Sequence, residues 1–436
     1  MSRRPARYLL AVPALLLLCA ALSFLPPVRT RLELWYADVQ YRLNPPQEMV
    51  FVPQEQQNLI DLYVSATLEA LQPTLTPTPS PTGTAAPAGP TPTPTDTPAP
   101  TLTPTPLPAA AQITGVDYQN QHGLWNYCGP ANLAMAVSFW GWQADRVDTG
   151  TWLRGGDPKA RVDDKNVMPY EMANYVNTQT NLRMIVRAGG TLDLLKAFIA
   201  AGYPILLEKE DYVNNVGWLG HYLMLVGYDD AQAEFTSMDT YHGAGTVYSY
   251  EEIHEAWRAF NFTFLLAYPP GQEQEVQRLL GPYADDAWAT QHALERALAE
   301  TGTLTGLAEF YAWFNVGTSY VNQFDYGPAS AAYDKAFALY ANMPAADRPW
   351  RMMWYQTGPY FAYYYSGRYQ DVLTLADTTL NAMTKPILEE SFYWRGLAKE
   401  ALGDIAGAIA DLQTAVALNP NFGPGWSELQ RMQGGN

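Results

Sequence analysis

Cysteine is nearly missing from this 436-residue sequence, which has two, Cys19 and Cys128. Two thiols cannot make the disulfide framework of a small secreted domain or a cysteine-rich zinc site. Basic residues are also scarce, 26 Lys and Arg against 43 Asp and Glu, for a formal charge of −17. Acidic surfaces repel phosphate backbones, which argues against nucleic acid as a partner. The five histidines form no His-Glu-x-x-His pattern, and Arg187-Ala188-Gly189-Gly190 lacks the lysine and spacing of a phosphate loop. Asp163-Asp164 and Asp229-Asp230 read as turns rather than as a calcium loop. No metal or cofactor is therefore expected. Hydrophobic residues are plentiful at 48%, enough for packed cores, and the length allows two or three folded units.

An uncharged apolar run extends from Tyr8 to Leu25, behind Arg3, Arg4 and Arg7 and ahead of Pro26-Pro27, Arg29 and Arg31. Residues 1–31 thus read as a signal anchor with a single transmembrane helix over 8–25, the N-terminus in the cytoplasm and the rest extracytoplasmic. The small-x-small site Ala21-Leu22-Ser23 offers the alternative, a cleaved signal and a secreted product. Cys19 falls inside this span, which leaves Cys128 as the one thiol beyond it. Residues 32–72 form a juxtamembrane segment with a short amphipathic helix from Asn58 to Leu71. Residues 73–111 form a disordered linker: between Pro73 and Pro108 there are 13 prolines, 12 threonines and one charge, Asp96. At about 3.1 Å per residue in polyproline II, such a spacer reaches on the order of 100 Å.

Residues 112–270 become globular. Helical stretches come first, Ala131 to Trp142, Pro169 to Asn177 and Thr191 to Ala200. Strand-like runs follow at Pro204–Glu208, His221–Tyr228, Glu234–Met238 and Phe262–Tyr268. Helices before strands, without βαβ alternation, predict an α+β unit with an antiparallel sheet. Residues 271–436 are helical and rich in Ala, Tyr and Trp. Trp313, Val316, Gly317, Tyr320, Ala329, Tyr333 and Ala336 fit the offsets of a tetratricopeptide repeat. Gly396, Gly403, Ala408, Leu412, Ala415 and Pro420 fit a second copy, with a degenerate one between, around Trp354, Gly358 and Gly367. Helix pairs of this kind stack to bury their faces, and the stack is expected to receive a protein partner or peptide.

Cys128 heads an apolar helix after Trp125, Asn126 and Tyr127, with Gly129-Pro130 in the first turn. A helix N-terminus favours anions and so raises the thiolate fraction of a thiol placed there. His221 opens a strand, and a hairpin symmetric about residue 230 puts Asp239 opposite it, within reach of one imidazole nitrogen. That is the nucleophile, base and orienting acid of acyl transfer. His122, His242, His254 and His292 read as loop, solvated-face or repeat residues. Donors for a developing oxyanion commonly include a side-chain amide just upstream of the nucleophile. Gln121 is the first choice and Gln119 the second. The run from Asp164 to Glu171 reads either as a helix cap or as part of a substrate cleft, together with Trp218.

Asn126-Tyr127-Cys128-Gly129-Pro130-Ala131-Asn132, then Gly220-His221 leading to Val226-Gly227-Tyr228-Asp229, then Met238-Asp239-Thr240, resembles the C39-like cysteine peptidase domains of the papain-like fold. The resemblance covers residues 112–270. It implies Cys128 as nucleophile, His221 as base, Asp239 as orienter and an upstream glutamine as oxyanion donor. The expectation is a membrane-anchored extracytoplasmic cysteine peptidase acting on a peptide or protein substrate. Two alternatives remain: a non-catalytic peptide-binding scaffold, and a Cys-dependent acyl transferase on the same residues.

Overall fold

The computed structural model describes residues 45–54 and 106–434 apart from residues 125, 156–164 and 214–215, with four isolated positions before residue 45. The expected membrane segment at 8–25, the helix at 58–71 and the Pro/Thr-rich run up to residue 105 lie outside the described residues. Among the described residues, no helix is long and apolar enough to cross a membrane.

The first unit is α+β. Helices α1 (Cys128–Phe139), α2 (Arg146–Arg154), α3 (Pro169–Gln179), α4 (Leu192–Ala200) and α5 (Tyr250–Arg258) pack around one antiparallel sheet. Its strands are β1 (Ala110–Gln112), β2 (Arg183–Arg187), β3 (Ile205–Val213), β4 (Gly217–Asp229), β5 (Glu234–Asp239), β6 (Gly243–Ser249) and β7 (Phe264–Tyr268), in the order β2-β7-β3-β4-β5-β6. Strand β4 is the long central member. On one flank it pairs with β3 from Gly217 to Leu225 and then with β1 from Gly227 to Asp229. On the other flank it pairs with β5. The sheet begins at Ala110, two residues before the expected boundary.

Alternation and apolar runs had predicted four strands and three helices. The elements they missed are locally polar or glycine-bearing. Helix α2 is fixed by Asp145, whose carboxylate accepts from the N–H groups of Val147 and Asp148. Its Gly150 lowers helix propensity, and a side chain there would overlap the Tyr127 ring.

After β7, helix α6 (Glu273–Leu280) packs Val276 and Leu280 into the core of the first unit, past the expected boundary at residue 270. Helices α7 (Asp286–Thr301), α8 (Leu307–Asn322), α9 (Tyr326–Asn342), α10 (Gly358–Tyr365), α11 (Tyr369–Asn381), α12 (Glu389–Ala401), α13 (Ile405–Leu418) and α14 (Gly423–Gly434) follow as an all-helical second unit. The two expected repeats are the pairs α8/α9 and α12/α13. Gly317 of α8 lies against Tyr333 of α9, where a Cβ would sit 2.7 Å from the ring. The degenerate middle copy is α10/α11, whose first helix has only eight residues.

The units are not independent beads. Buried Trp218 on β4 stacks on Phe260 with ring centroids 6.0 Å apart and donates to the Tyr311 hydroxyl of α8 at 2.8 Å. Arg351 donates to the carbonyls of Val216 and Trp218 at 2.8 and 3.0 Å. On the other side of the contact, buried Lys165 pairs with Glu389 and lies 3.5 Å from Glu171, while Asn419 donates to both carboxylates. Residues 45–54 also rest on the helical unit. Phe51 is buried against Phe337 and Tyr363, Glu48 pairs with Arg348 at 2.6 Å, and the N–H of Gln47 reaches Ala382 O at 3.0 Å.

Candidate active site

Helix α1 starts at Cys128 with no side-chain cap, so its first N–H groups remain available to an anion. Strand β5 stops pairing at Asp239, opposite Leu223. The next β4 residue, Tyr222, therefore lacks a sheet partner on that flank, and α1 takes the place. Asn132 donates to Tyr222 O at 2.7 Å and to Cys128 O at 3.0 Å, while the N–H of Tyr222 meets the Cys128 sulfur. Burial of Cys128 would raise its pKa. The hydrogen bond and positive charge of His221, with the backbone N–H groups of Tyr222 and Gly129, overcome that and lower it.

Asp239 does accept from His221, but the register differs from the symmetric hairpin. The turn pairs Asp229 with Glu234, and a bulge at Val226 shifts the ladder once more, so Asp239 lies across from Leu223. His221 is two residues along, on the same face, a diagonal neighbour that an imidazole can still reach. Its Nε2 donates to Asp239 Oδ1 at 2.9 Å, leaving Nδ1 for the Cys128 side. Burial of His221 works against its charge; the Asp239 carboxylate and the thiol outweigh it and push its pKa up to about 10. Asp239 is fully buried. Its oxygens accept from the N–H groups of Tyr241 and His242 at 2.8 and 2.9 Å and from the Tyr248 hydroxyl at 2.8 Å. Burial alone would raise its pKa, but the His221 charge and these donors hold it well below the usual carboxylate range.

The two glutamines separate. Gln119 accepts from Arg146 N at 2.7 Å and donates to Ala144 O, which ties its amide to the α1–α2 connection. Gln121 lies beside the site: its N–H reaches Thr240 O and its Oε1 accepts from the Thr240 hydroxyl, both at 2.8 Å. His122 contacts Tyr241 O at 2.8 Å. His242 has more to do than a loop residue. Besides its backbone bond to Asp239, its ring sits 6.2 Å from that of His221, with Nε2 at 2.9 Å from Asp211.

Sequence reasoning missed the other side of the thiol. Glu208 of β3 pairs in register with Tyr222, on the opposite face from His221, and is 2% exposed. It lies close enough to Cys128 to feel its charge, with the Tyr222 and Asn166 side chains beside it. Its Oε1 has no hydrogen-bond partner among the described residues. Glu208 lines a cleft of about 510 Å³ between the two units, with Tyr170, Phe260, Tyr355 and Phe361 among its walls. Met168 and Pro169 line it too, while Glu171 caps α3 through Met168 N; the run is a helix cap whose face is buried rather than solvated. Trp218 does not belong to that wall; it is packed into the interface.

This α+β unit, with a thiol at a helix start beside a strand histidine, is similar to the C39-like cysteine peptidases. Residues 113–264 match the Peptidase_C39 like family, and residues 389–422 match the Tetratricopeptide repeat. Among solved structures, the chain is similar to a C39-like peptidase from Bacillus anthracis at 15% identity and TM-score 0.31, over 36% of this chain and 97% of that one. It is also similar to Xylellain, a cysteine protease from Xylella fastidiosa, at 16% identity and TM-score 0.26, over 38% and 87%. No curated protein matches the chain.

Proposed function

We propose that this protein hydrolyses peptide bonds with Cys128 as nucleophile, His221 as proton carrier and Asp239 as the group that orients and charges the imidazole. The observation that carries this reading is the contact series Cys128–His221–Asp239, with the thiol at a helix start and its pKa lowered. The thiolate adds to the scissile carbonyl carbon, and the oxygen gains the charge that sulfur loses. The Cys128 N–H and the Gln121 side-chain amide are the donors assigned to that oxygen. Since Gln121 Oε1 is held by Thr240, its NH2 is the end offered. His221 gives its proton to the leaving amine as the C–N bond breaks, leaving a thioester. It then takes a proton from water, whose oxygen adds to the thioester carbonyl; the C–S bond breaks, releasing the acid and restoring the Cys128 thiolate beside the His221 imidazolium.

In this reading residues 8–25 anchor the protein in the cell membrane with both units extracytoplasmic, and the helical repeats bind a protein or peptide. The test is labelling by a thiol-reactive peptidyl probe and cleavage of a peptide library. Wild-type protein is expected to do both and Cys128→Ala neither. A wild-type protein inert in both assays overturns the enzymatic reading.

A further inference from the structure

We infer that the cleft between the two units receives a basic side chain of the substrate, a lysine or arginine, with Glu208 as its counter-charge. The inference deepens the peptidase reading, on which its turnover measurement rests.

Three observations carry it. First, Glu208 is a buried carboxyl that lines the cleft; the Tyr222 and Asn166 side chains lie beside it, yet its Oε1 has no partner at hydrogen-bond geometry among the described residues. A buried carboxyl group left without a full set of donors is costly unless something else completes it, and an ammonium or guanidinium does so. Second, the other lining carboxylate, Asp286, is already matched by Arg187 of the same wall at 3.2 Å. Among the described lining residues, Glu208 is thus the buried carboxyl left to meet an incoming cation. Third, the walls add Tyr170, Phe260, Tyr355 and Phe361. Aromatic faces accommodate the methylene stem of lysine or arginine and attract its charged end. A volume of about 510 Å³ is ample for such a side chain.

The charge of the neighbouring site points the same way. A thiolate on Cys128, an imidazolium on His221 and a carboxylate on Asp239 sum to one negative charge beside Glu208. Burial lifts the Glu208 carboxyl well above its usual range, against the Tyr222 and Asn166 side chains that favour its charge. A cation in the cleft favours the charged form of Glu208 and pairs with it, whereas an acidic side chain meets the net negative charge of the neighbouring site. Glu208 lies across the sheet from His221, so this contact selects the substrate and takes no part in proton transfer.

The test is a positional scan with internally quenched peptides in which each position carries Lys, norleucine or Glu in turn. Norleucine keeps the stem of lysine and removes its charge. At one position, Lys is expected to exceed norleucine by about tenfold or more in kcat/KM, and Glu208→Gln should bring that ratio close to one. A binding measurement runs in parallel on Cys128→Ala protein, with the Lys and norleucine peptides at the same position. The Lys peptide is expected to bind about tenfold tighter, and the added Glu208→Gln change should remove the difference. Equal handling of Lys and norleucine by protein with Glu208 intact overturns the proposal without any need of the variant. A lysine preference that survives Glu208→Gln in folded protein also overturns it. Absence of turnover with the binding preference intact removes the peptidase reading and leaves the cleft assignment standing.

Discussion

Asp239 meets His221 on the diagonal of the β4–β5 ladder, two residues from the position directly across, and the imidazole closes the gap to 2.9 Å. A slip of two keeps a side chain on its face, whereas a slip of one would have turned Asp239 away from the thiol. The carboxylate is fixed by two backbone N–H groups and the Tyr248 hydroxyl, so it orients the ring while keeping its charge. Asp239→Asn keeps the shape and removes the charge. It is expected to lower kcat/KM for peptide cleavage by about 10²- to 10⁴-fold. It should also raise the pH at which iodoacetamide begins to modify Cys128, because a less basic His221 stabilises the thiolate less. An unchanged alkylation midpoint would separate Asp239 from the thiol.

The raised His221 pKa gives two pH limits that different assays read separately. Alkylation needs only the thiolate and should begin below the ordinary thiol value of 9.0, then persist as pH rises. Cleavage also needs the His221 proton for the leaving amine, and should fall as pH rises through about 10. The stability linked to this group has the same sign. It is fully present below the ordinary imidazole value of 6.5 and is lost as pH rises through about 10. Cleavage that stays level across that upper limit, in protein still folded by circular dichroism, would contradict the assignment.

The thiol end of this site was legible because its signals are local: a Cys-Gly-Pro helix start, and a histidine opening an apolar strand. The register was not, since the Val226 bulge and the turn length depend on pairing rather than on residue type. Asn132 left a trace in the sequence, a polar residue four positions after Cys128 in an otherwise apolar helix. Its partner, the unpaired Tyr222 carbonyl, exists only once β5 stops at Asp239. Glu208 left none. In Leu207-Glu208-Lys209-Glu210 it reads as a polar strand end facing water, whereas the Tyr222 and Asn166 side chains and Cys128 surround it in the folded unit.

Lys165 is the cation at the second contact between the units, nearly inaccessible and set between Glu171 and Glu389. Lys165→Ala leaves buried carboxylates without their counter-charge and is expected to destabilise the protein by about 3–5 kcal/mol in urea unfolding near pH 7.5. Lower pH should restore part of this. Burial, opposed by Lys165, raises Glu171 to about 6, and burial with neighbouring Glu389 raises Glu390 to about 8. The folded state therefore holds protons that the unfolded chain releases, and this contribution favours folding as pH falls from about 8 toward 4.5. A Lys165→Ala midpoint equal to wild type would mean that the cluster does not hold the units together.

Repeat offsets and strand runs placed the two units along the chain, yet gave no sign that they share an interface. Trp218, Tyr311 and Arg351 look like ordinary core or surface residues of their own unit until the other is present. Aromatic richness of the helical part reads equally as an open binding face or as a buried seam; for Tyr311 and Tyr355 it is the seam. The side of the helical unit that remains for a partner is correspondingly smaller than the composition suggested.

Phe51 changes the reading of the Pro/Thr-rich run. Its ring is edge-on to Phe337 at 4.9 Å and 6.0 Å from Tyr363, within the core of the helical unit. The run thus leaves from and returns to the same body, and its reach does not set the distance of that body from a membrane. With residues 8–25 as an anchor, residues 26–44 set it, at no more than roughly 3.3–3.6 Å per residue. Phe51→Ala removes a buried ring, a change that costs about 3–5 kcal/mol in a packed core. Hydrogen exchange reads the consequence locally. The amides of Gln47 and Gln54, which donate to Ala382 O and Asp371 Oδ1, should be protected in wild-type protein and exchange freely in Phe51→Ala. Helix α12, which lies outside the ring contacts, should keep its protection in both. Equal protection of Gln47 and Gln54 in the two proteins would leave the Glu48–Arg348 pair as the tether and refute the role given to Phe51.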